Sequence, residues 1–291
     1  MSRPEVIAHR GASCERPENS LAAFVRAAEL GANAVELDVH LTADGHLVVH
    51  HDPTLQDGAL RRAIGRLTLA EVRAFRVQGE GVPTLDEVIS VLYDGPLRVY
   101  CELKGVRTAP FAVAALERLG DRAAVHSFDH RMVAEARVVA PGVARGVTEA
   151  SYHRDPAFPM RDVGARDLWQ YEPSIDRPLV AAVHAGGGRV IAWTVNDLSR
   201  ATELAALGVD GICTDDVAGV LSALSALSAL TALRSKRRSL RRVARALHLH
   251  QLTSYVTSYA AVVTSGYTLT LKRSLFLCSN FTIPSTRAKI V

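Results

Sequence analysis

Short apolar runs alternate with longer amphipathic stretches over residues 5–217. The runs are rich in Val, Ile and Leu, which is typical of strands, and the stretches between them are typical of helices. We expect strands over 5–9, 33–39, 46–51, 97–103, 123–126, 143–147, 189–194 and 209–213. We expect a first helix from an N-cap at Asn19 to Leu30, where Gly31 ends it. Further helices are expected over 84–93, 108–119, 129–140, 177–186 and 197–207.

Four polar blocks interrupt this pattern, each at the end of a predicted strand. They are HRG at 9–11, ELD at 36–38, HD at 51–52 and ELK at 102–104. Successive strand residues face opposite sides, so Glu36 and Asp38 share one face, Glu102 and Lys104 share another, and His51 faces away from His50. An exposed edge strand with a solvated acidic face is the alternative. Four strands with the same oddity favour a functional site, because buried carboxylates need a partner or a metal.

The succession of strand and helix predicts an α/β fold, and we favour a closed TIM (β/α)8 barrel over a doubly wound sheet. The polar blocks come from several strand ends, and a barrel gathers such ends at one mouth. A hairpin over 41–47, with Asp44 and Gly45 at its turn, should join the acidic strand to the strand that precedes His51.

Several ordered blocks resemble the glycerophosphodiester phosphodiesterase family. They are the string from HRGASCERPENS to HHDPTL at 9–55, CELK at 101–104, AWTVN at 192–196 and GVDGICTDD at 208–216. The resemblance covers residues 5 to 217 and implies the same barrel fold. It departs from the family after Thr214 and Asp215, where the family usually has a basic residue and Pro and this chain has Asp216 and Val217.

The inventory of residues suits a metal-assisted attack on a phosphodiester, and the resemblance implies the same roles. Glu36, Asp38 and Glu102 form an all-oxygen ligand set for one divalent cation, Mg²⁺ or Ca²⁺. Arg10 and Lys104 would bind the substrate phosphate and neutralise its charge.

Two imidazoles complete the expected site. We expect His9 and His51 to be the catalytic acid and base, in either order. The attacking group is water or a glycerol hydroxyl that first forms a cyclic phosphate. Trp193 either flanks the substrate or packs in the core, and Asn196 and Asp197 are expected to cap the next helix.

The resemblance implies an enzyme that hydrolyses glycerophosphodiesters, which are small-molecule substrates, to glycerol 3-phosphate and an alcohol. Lysophospholipase D activity on lipids that retain one acyl chain is the alternative within the fold. An inactive barrel that serves as a binding module is the alternative of another class. The presence of every expected catalytic and ligand residue argues against it.

Charge divides the chain near residue 220. Residues 221–291 hold 11 Lys and Arg and no Asp or Glu, whereas the residues before them hold 23 basic and 30 acidic residues. We therefore expect a barrel over 1–233, with its last helix starting near 217 in a Leu repeat, and a basic, low-complexity tail over 234–291. The tail is flexible or lies on an anionic membrane surface.

Two other interpretations of the tail are weaker. A membrane span over 251–271 is long enough but rich in hydroxyl side chains. Nucleic acid is not an expected partner, because no aromatic residues interleave the basic run. Four cysteines show no paired spacing and no signal peptide is visible, so we expect a cytoplasmic location, with peripheral membrane attachment through the tail as a second expectation.

Overall fold

A closed ring of eight parallel strands forms the centre of the fold. The computed structural model describes residues 3–233 together with 236, 239 and 242. Its strands are β1 (Glu5–His9), β2 (Ala34–Leu41), β3 (Leu47–Val49), β4 (Thr54–Asp57), β5 (Leu60–Ala63), β6 (Arg76–Val77), β7 (Glu80–Gly81), β8 (Arg98–Leu103), β9 (Ala123–Ser127), β10 (Ala144–Glu149), β11 (Asp167–Tyr171), β12 (Arg189–Trp193) and β13 (Gly211–Thr214). The ring runs β1, β2, β8 to β13, and closes because β1 pairs in parallel with both β2 and β13. The expected TIM barrel is confirmed.

Helices follow the barrel strands and cover their outer face. They are α1 (Leu21–Leu30), α2 (Leu69–Val72), α3 (Leu85–Leu92), α4 (Thr108–Leu116), α5 (His130–Val139), α6 (Phe158–Val163), α7 (Arg177–Ala185) and α8 (Leu198–Leu207), with short 3-10 helices at Ile64–Arg66, Glu117–Arg122 and Glu172–Ser174. Residues 217–233 are also helical, and Val217, Val220 and Leu224 are buried in that helix.

The start of α1 differs from the expectation. Ser20, not Asn19, is the N-cap, and its hydroxyl accepts a hydrogen bond from the amide of Ala23. Asn19 has a left-handed backbone (φ 56°), and its side chain bonds Asp38 instead. Gly31 ends the helix at φ 81°, as expected.

Alternation within the strands sorts side chains between two apolar layers. Val6 and Ala8 pack outward with the helices, whereas Ile7 points into the barrel. Ala34 also belongs to the interior cluster, so its β2 neighbours on the same face, Glu36 and Asp38, project into the barrel as well.

The eight strands of the ring differ from the eight expected strands at two places. The run at 46–51 is the short strand β3, which pairs antiparallel with β2 through the expected hairpin and lies outside the parallel ring. The eighth place is taken by β11, which begins with the fully buried Asp167. An acidic residue at the start of the segment is not typical of a buried strand, so the pattern did not predict it. Arg166 and Arg189 neutralise the Asp167 carboxylate.

The chain between β3 and β8 forms a small layer of its own. It contains the β4–β5 and β6–β7 hairpins and an apolar cluster that includes Leu55, Ile64 and Leu67. This layer is the only substantial elaboration between His51 and Glu102 in the described part of the chain.

No helix in the described ranges combines the length and the apolar character that a bilayer crossing requires. The span considered over 251–271 and most of the tail over 234–291 lie outside the described residues.

We predict that Gly146→Ala destabilises the barrel. A Cβ at position 146 would lie 2.8 Å from Trp169 Cδ1 and 3.2 Å from His126 Cβ. Forcing an extra methyl into a packed core costs about 1–3 kcal/mol. Urea unfolding should show this loss, while the control Gly142→Ala, whose Cβ meets no atom within 4 Å, should not. Equal stability of the two variants would contradict the packing described here.

Candidate functional site

A pocket of about 210 Å³ opens among the carboxyl ends of the barrel strands. Seven of the eight expected site residues line it, namely His9, Arg10, Glu36, His51, Glu102, Lys104 and Trp193. The eighth, Asp38, is 1% exposed and is in direct contact with Lys104. The structure therefore brings all eight together, although they come from β1, β2, β8, β12 and the segments that follow these strands and β3.

The three expected metal ligands form a buried cluster. Glu36, Asp38 and Glu102 each offer an oxygen, and these oxygens lie within 4.8 Å of one another. All three side chains point inward because Asp38 and Glu102 are paired residues of the adjacent strands β2 and β8. Such an all-oxygen set suits a hard divalent cation.

Two cationic side chains, Lys104 and Arg10, contact the same cluster. Lys104 Nζ lies 3.1 Å from Asp38 Oδ1 and 2.9 Å from Glu102 Oε1. Arg10 Nε lies 3.3 Å from Asp38 Oδ2, and Asn19 Nδ2 donates a 2.9 Å hydrogen bond to that oxygen. Asp38 is thus the carboxylate with the most partners in the cluster.

The loop after β1 brings Arg10 over the barrel. Arg10 and Gly11 both have left-handed backbones, with φ of 56° and 82°. Only glycine fits at position 11, because a Cβ there would lie 2.7 Å from Ala23. The turn also directs the Arg10 amide to Glu36 Oε2 at 3.1 Å, which ties the loop to the acidic cluster.

The three carboxyl groups differ in the direction of their pKa shifts. Burial, with the charges of Asp38 and Glu102, raises the pKa of Glu36 well above its usual range. Burial and the charge of Asp38 raise the pKa of Glu102 to about 7. For Asp38 burial acts in the same direction, but Lys104 and Arg10 outweigh it and lower its pKa. The cluster therefore binds a proton or a further cation more readily than it stays fully ionised.

His9 is oriented by a carboxylate that sequence reasoning did not place in the site. Asp215, just after β13, has Oδ1 2.7 Å from His9 Nδ1. Asp215 also accepts hydrogen bonds from Ser13 Oγ at 3.0 Å and Asn196 Nδ2 at 2.7 Å. Although burial opposes it, the hydrogen bond from His9 contributes to a pKa of about 2 for Asp215. Asn196 thus supports Asp215 and was wrongly expected to cap a helix, whereas Asp197 does cap α8.

His51 follows β3 and faces the pocket from the other side of the cluster. Its Nδ1 lies 3.0 Å from Asp52 Oδ1. His40 Nε2 donates a 3.0 Å hydrogen bond to the His51 carbonyl, which fixes the backbone there. His50 does not line the pocket, in agreement with the predicted alternation.

Aromatic side chains form one side of the mouth. Trp193 meets Phe128 edge-on with ring centroids 5.3 Å apart, and Tyr171 lies 5.5 Å away on its other side. Phe128 and Tyr171 are 49% and 44% exposed. Trp193 is therefore a pocket residue at the rim and only partly a core residue.

Sequence reasoning also missed the pocket floor. His126, Thr148 and Trp169 line the pocket from β9, β10 and β11. His126 is buried, and this burial lowers its pKa to about 3. The alternation of β9 could have placed His126 inward with Ala124, but a lone imidazole in a strand carries no motif.

Comparison with known proteins finds one family along most of the chain. The Glycerophosphoryl diester phosphodiesterase family matches residues 9–218. A glycerophosphodiester phosphodiesterase of Caldanaerobacter subterraneus is 33% identical over 227 residues, which cover 72% of this chain and 93% of that protein.

Solved structures agree. The crystal structure of a glycerophosphodiester phosphodiesterase from Parabacteroides distasonis superposes with a TM-score of 0.70 at 27% identity, and covers 78% of this chain and 98% of its own. A phosphodiesterase from Oleispira antarctica, solved in complex with the product sn-glycerol-3-phosphate, gives a TM-score of 0.70 at 29% identity, with coverages of 77% and 97%.

We predict that a divalent cation raises the melting temperature, and more so at pH 8 than at pH 6. A cation at 100 times its Kd adds about 2.7 kcal/mol to the free energy of unfolding. Since the pKa of Glu102 is about 7, protons compete with the cation below that pH. Without a cation, the stability that proton binding gives is lost as the pH rises through 7.

Thermal unfolding with and without Mg²⁺ or Ca²⁺ measures the effect. Glu36→Gln should abolish the shift, whereas Glu149→Gln, which alters a glutamate outside the cluster, should preserve it. An unchanged shift in Glu36→Gln would refute the ligand assignment.

Proposed function

Because this chain belongs to the glycerophosphoryl diester phosphodiesterase family, we propose that it hydrolyses glycerophosphodiesters to glycerol 3-phosphate and an alcohol. The observation that carries the proposal is the single pocket in which an acidic cluster, two cationic side chains and two imidazoles meet. Hydrolysis of a phosphodiester requires neutralisation of the phosphate charge and two proton transfers, and this set of groups can supply both.

We propose that Glu36, Asp38 and Glu102 hold Mg²⁺ or Ca²⁺. The donor set fits such an ion because all three donors are carboxylates, they are buried, and the pKa values of Glu36 and Glu102 are raised by mutual repulsion and burial. When bound, the cation withdraws charge from a phosphate oxygen and makes phosphorus more electrophilic.

Arg10 and Lys104 would bind the phosphate at the edge of the acidic cluster. Both side chains are 18% exposed, so each is shielded from bulk water but open to the pocket. Arg10 is also held by Glu18, whose Oε2 lies 2.9 Å from Nη1. A guanidinium fixed in this way stabilises developing charge without needing to reorganise.

His9 and His51 would carry out the proton transfers. Asp215 holds Nδ1 of His9, and the other nitrogen, Nε2, lies 4.0 Å from Glu36 Oε2 within the pocket. One imidazole removes a proton from the attacking hydroxyl, and the other gives a proton to the leaving alcohol.

Lysophospholipase D activity is the second candidate, and the exposed aromatic rim favours it. Phe128, Tyr171 and Trp193 present apolar surface beside the pocket, where an acyl chain could lie. Release of choline from glycerophosphocholine and from lysophosphatidylcholine, measured side by side, separates the two activities. The inactive binding module is disfavoured because each expected catalytic group is present in the pocket or in contact with it.

We predict that His51→Ala lowers kcat on glycerophosphocholine by at least about 100-fold, because general acid–base catalysis contributes about 10²–10⁴-fold. His50→Ala is the matched control. It removes an adjacent imidazole that does not line the pocket, and it should have a much smaller effect. Choline release as a function of pH should be bell-shaped in the wild type. If His50→Ala proves as damaging as His51→Ala, the proposed role of His51 is wrong.

We propose that residues 1–233 form the catalytic part and that the basic residues of 234–291 attach the protein to anionic membranes. This segment contains every one of the 11 Lys and Arg counted beyond residue 220. Each basic side chain near an anionic surface contributes about 1 kcal/mol.

A variant that ends at Arg234 should therefore keep nearly full activity on glycerophosphocholine. It should lose any salt-sensitive binding to vesicles of anionic lipid that the full-length protein shows in sedimentation. A folded but inactive shortened protein would place part of the active site in the tail, against this division.

A further inference from the structure

Buried nitrogens without hydrogen-bond partners are concentrated in the active-site pocket. Seven buried side-chain polar atoms in the described residues make no hydrogen bond, and three of them are ring nitrogens of residues that line this pocket: His126 Nε2, Trp169 Nε1 and Trp193 Nε1. A fourth, Arg10 Nε, is in ion-pair contact with Asp38 Oδ2. An unsatisfied buried donor costs about 1–3 kcal/mol. A ligand with several oxygen acceptors would satisfy donors placed in this way.

His126 is the most constrained polar member of this group. Its side chain is 3% exposed, and its ring stacks on Trp169 with centroids 4.0 Å apart and planes 3° from parallel. Nδ1 lies 3.1 Å from Thr148 Oγ1. Stacking fixes the ring plane and the threonine contact fixes its rotation, so the position of Nε2 is set before any ligand arrives.

The surroundings of Nε2 determine which nitrogen carries the proton. Nε2 lies 3.9 Å from Glu36 Oε1, which is too far for a hydrogen bond. When Glu36 is ionised, as it is when it holds a cation, a lone pair at Nε2 would be repelled by this carboxylate, so the Nε2–H tautomer is favoured and the Thr148 hydroxyl donates to Nδ1. The pocket floor therefore holds a neutral N–H donor beside the acidic cluster.

We propose that His126 is a substrate-binding residue whose Nε2–H donates a hydrogen bond to a phosphoryl oxygen. The inference rests on the proposed function, since it assigns the phosphate to this pocket. A neutral donor suits the position. It can approach a phosphate oxygen beside the carboxylates without repelling a cation that they hold, whereas Arg10 and Lys104 balance the charge from the other side.

Isothermal titration of the full-length protein with inorganic phosphate, in the presence of Mg²⁺, tests the proposal. His126→Phe keeps a flat ring against Trp169 but removes the donor, and phosphate affinity should fall about tenfold or more. His126→Gln restores an amide donor and should recover part of the loss. His130→Phe is the control, because it removes an imidazole that lies outside this pocket, with Nε2 3.4 Å from Glu149 Oε1.

Two further titrations distinguish phosphate binding by His126 from support of the cation site and from binding of a glycerol hydroxyl. Binding of Mg²⁺ alone should be unchanged in His126→Phe, and sn-glycerol 3-phosphate should weaken by the same factor as phosphate. Equal loss of Mg²⁺ and phosphate binding would mean that His126 supports Glu36 and would overturn the proposal. Loss of glycerol 3-phosphate binding with intact phosphate binding would assign Nε2 to a glycerol hydroxyl and would overturn it as well.

Histidine ¹⁵N NMR of the wild type keeps the proposal testable if His126→Phe does not fold. The Nε2–H tautomer is expected, and phosphate should shift the Nε2 resonance. An Nδ1–H tautomer, or no shift at saturating phosphate, contradicts the proposal. A wild type that binds phosphate through His126 but hydrolyses no glycerophosphodiester would refute the proposed function and leave this inference standing.

Discussion

Three buried carboxylates share one end of a barrel, and the arrangement of the mouth follows from how their charge is balanced. An unpartnered buried carboxylate costs several kcal/mol, and removing one partner from a buried ion pair costs about 3–5 kcal/mol. Asp38, on β2, meets this demand by contacts with Lys104, which follows β8, and with Arg10 and Asn19 in the loop between β1 and α1. The same contacts that keep Asp38 ionised therefore hold three separate segments in register around the pocket.

At the opposite end of the barrel, each of the two acids is paired with arginine side chains. Glu5 Oε2 accepts a 2.9 Å hydrogen bond from the Tyr100 hydroxyl and pairs with Arg189, which also contacts Asp167. Arg166 closes the network on Asp167. Arg98 Nη1 also lies 3.2 Å from Glu5 Oε1, so three arginines surround two acids at this end. At the mouth, by contrast, the acidic cluster exceeds what its cations neutralise, as the raised pKa values of Glu36 and Glu102 indicate. The proposed chemistry lies at the end with the excess of acid.

Local pattern predicted most of the barrel and the groups that converge on its mouth. The alternation in β2 and β8 placed Glu36, Asp38 and Glu102 on the face opposite to the Val and Leu side chains. In the structure those Val and Leu residues pack against the helices, and the three acids form one cluster. The same reasoning failed for β11, since the partner of Asp167, Arg189, lies 22 residues away. It also failed for Asp215, whose contact with His9 spans 206 residues and leaves no trace in either segment. Contacts between distant segments were what the sequence could not reveal.

The span between His9 and Asp215 has a consequence for the newly made chain. The carboxylate that orients the His9 ring lies 206 residues further along the chain, just after β13, and β13 pairs with β1 to close the ring. At a synthesis rate of about 5–20 residues per second, the ribosome needs roughly 10–40 s to travel between them. Throughout that interval the nascent protein has its first imidazole without the group that aligns it. Closure of the ring by β13 is therefore the same event that brings Asp215 to the His9 ring.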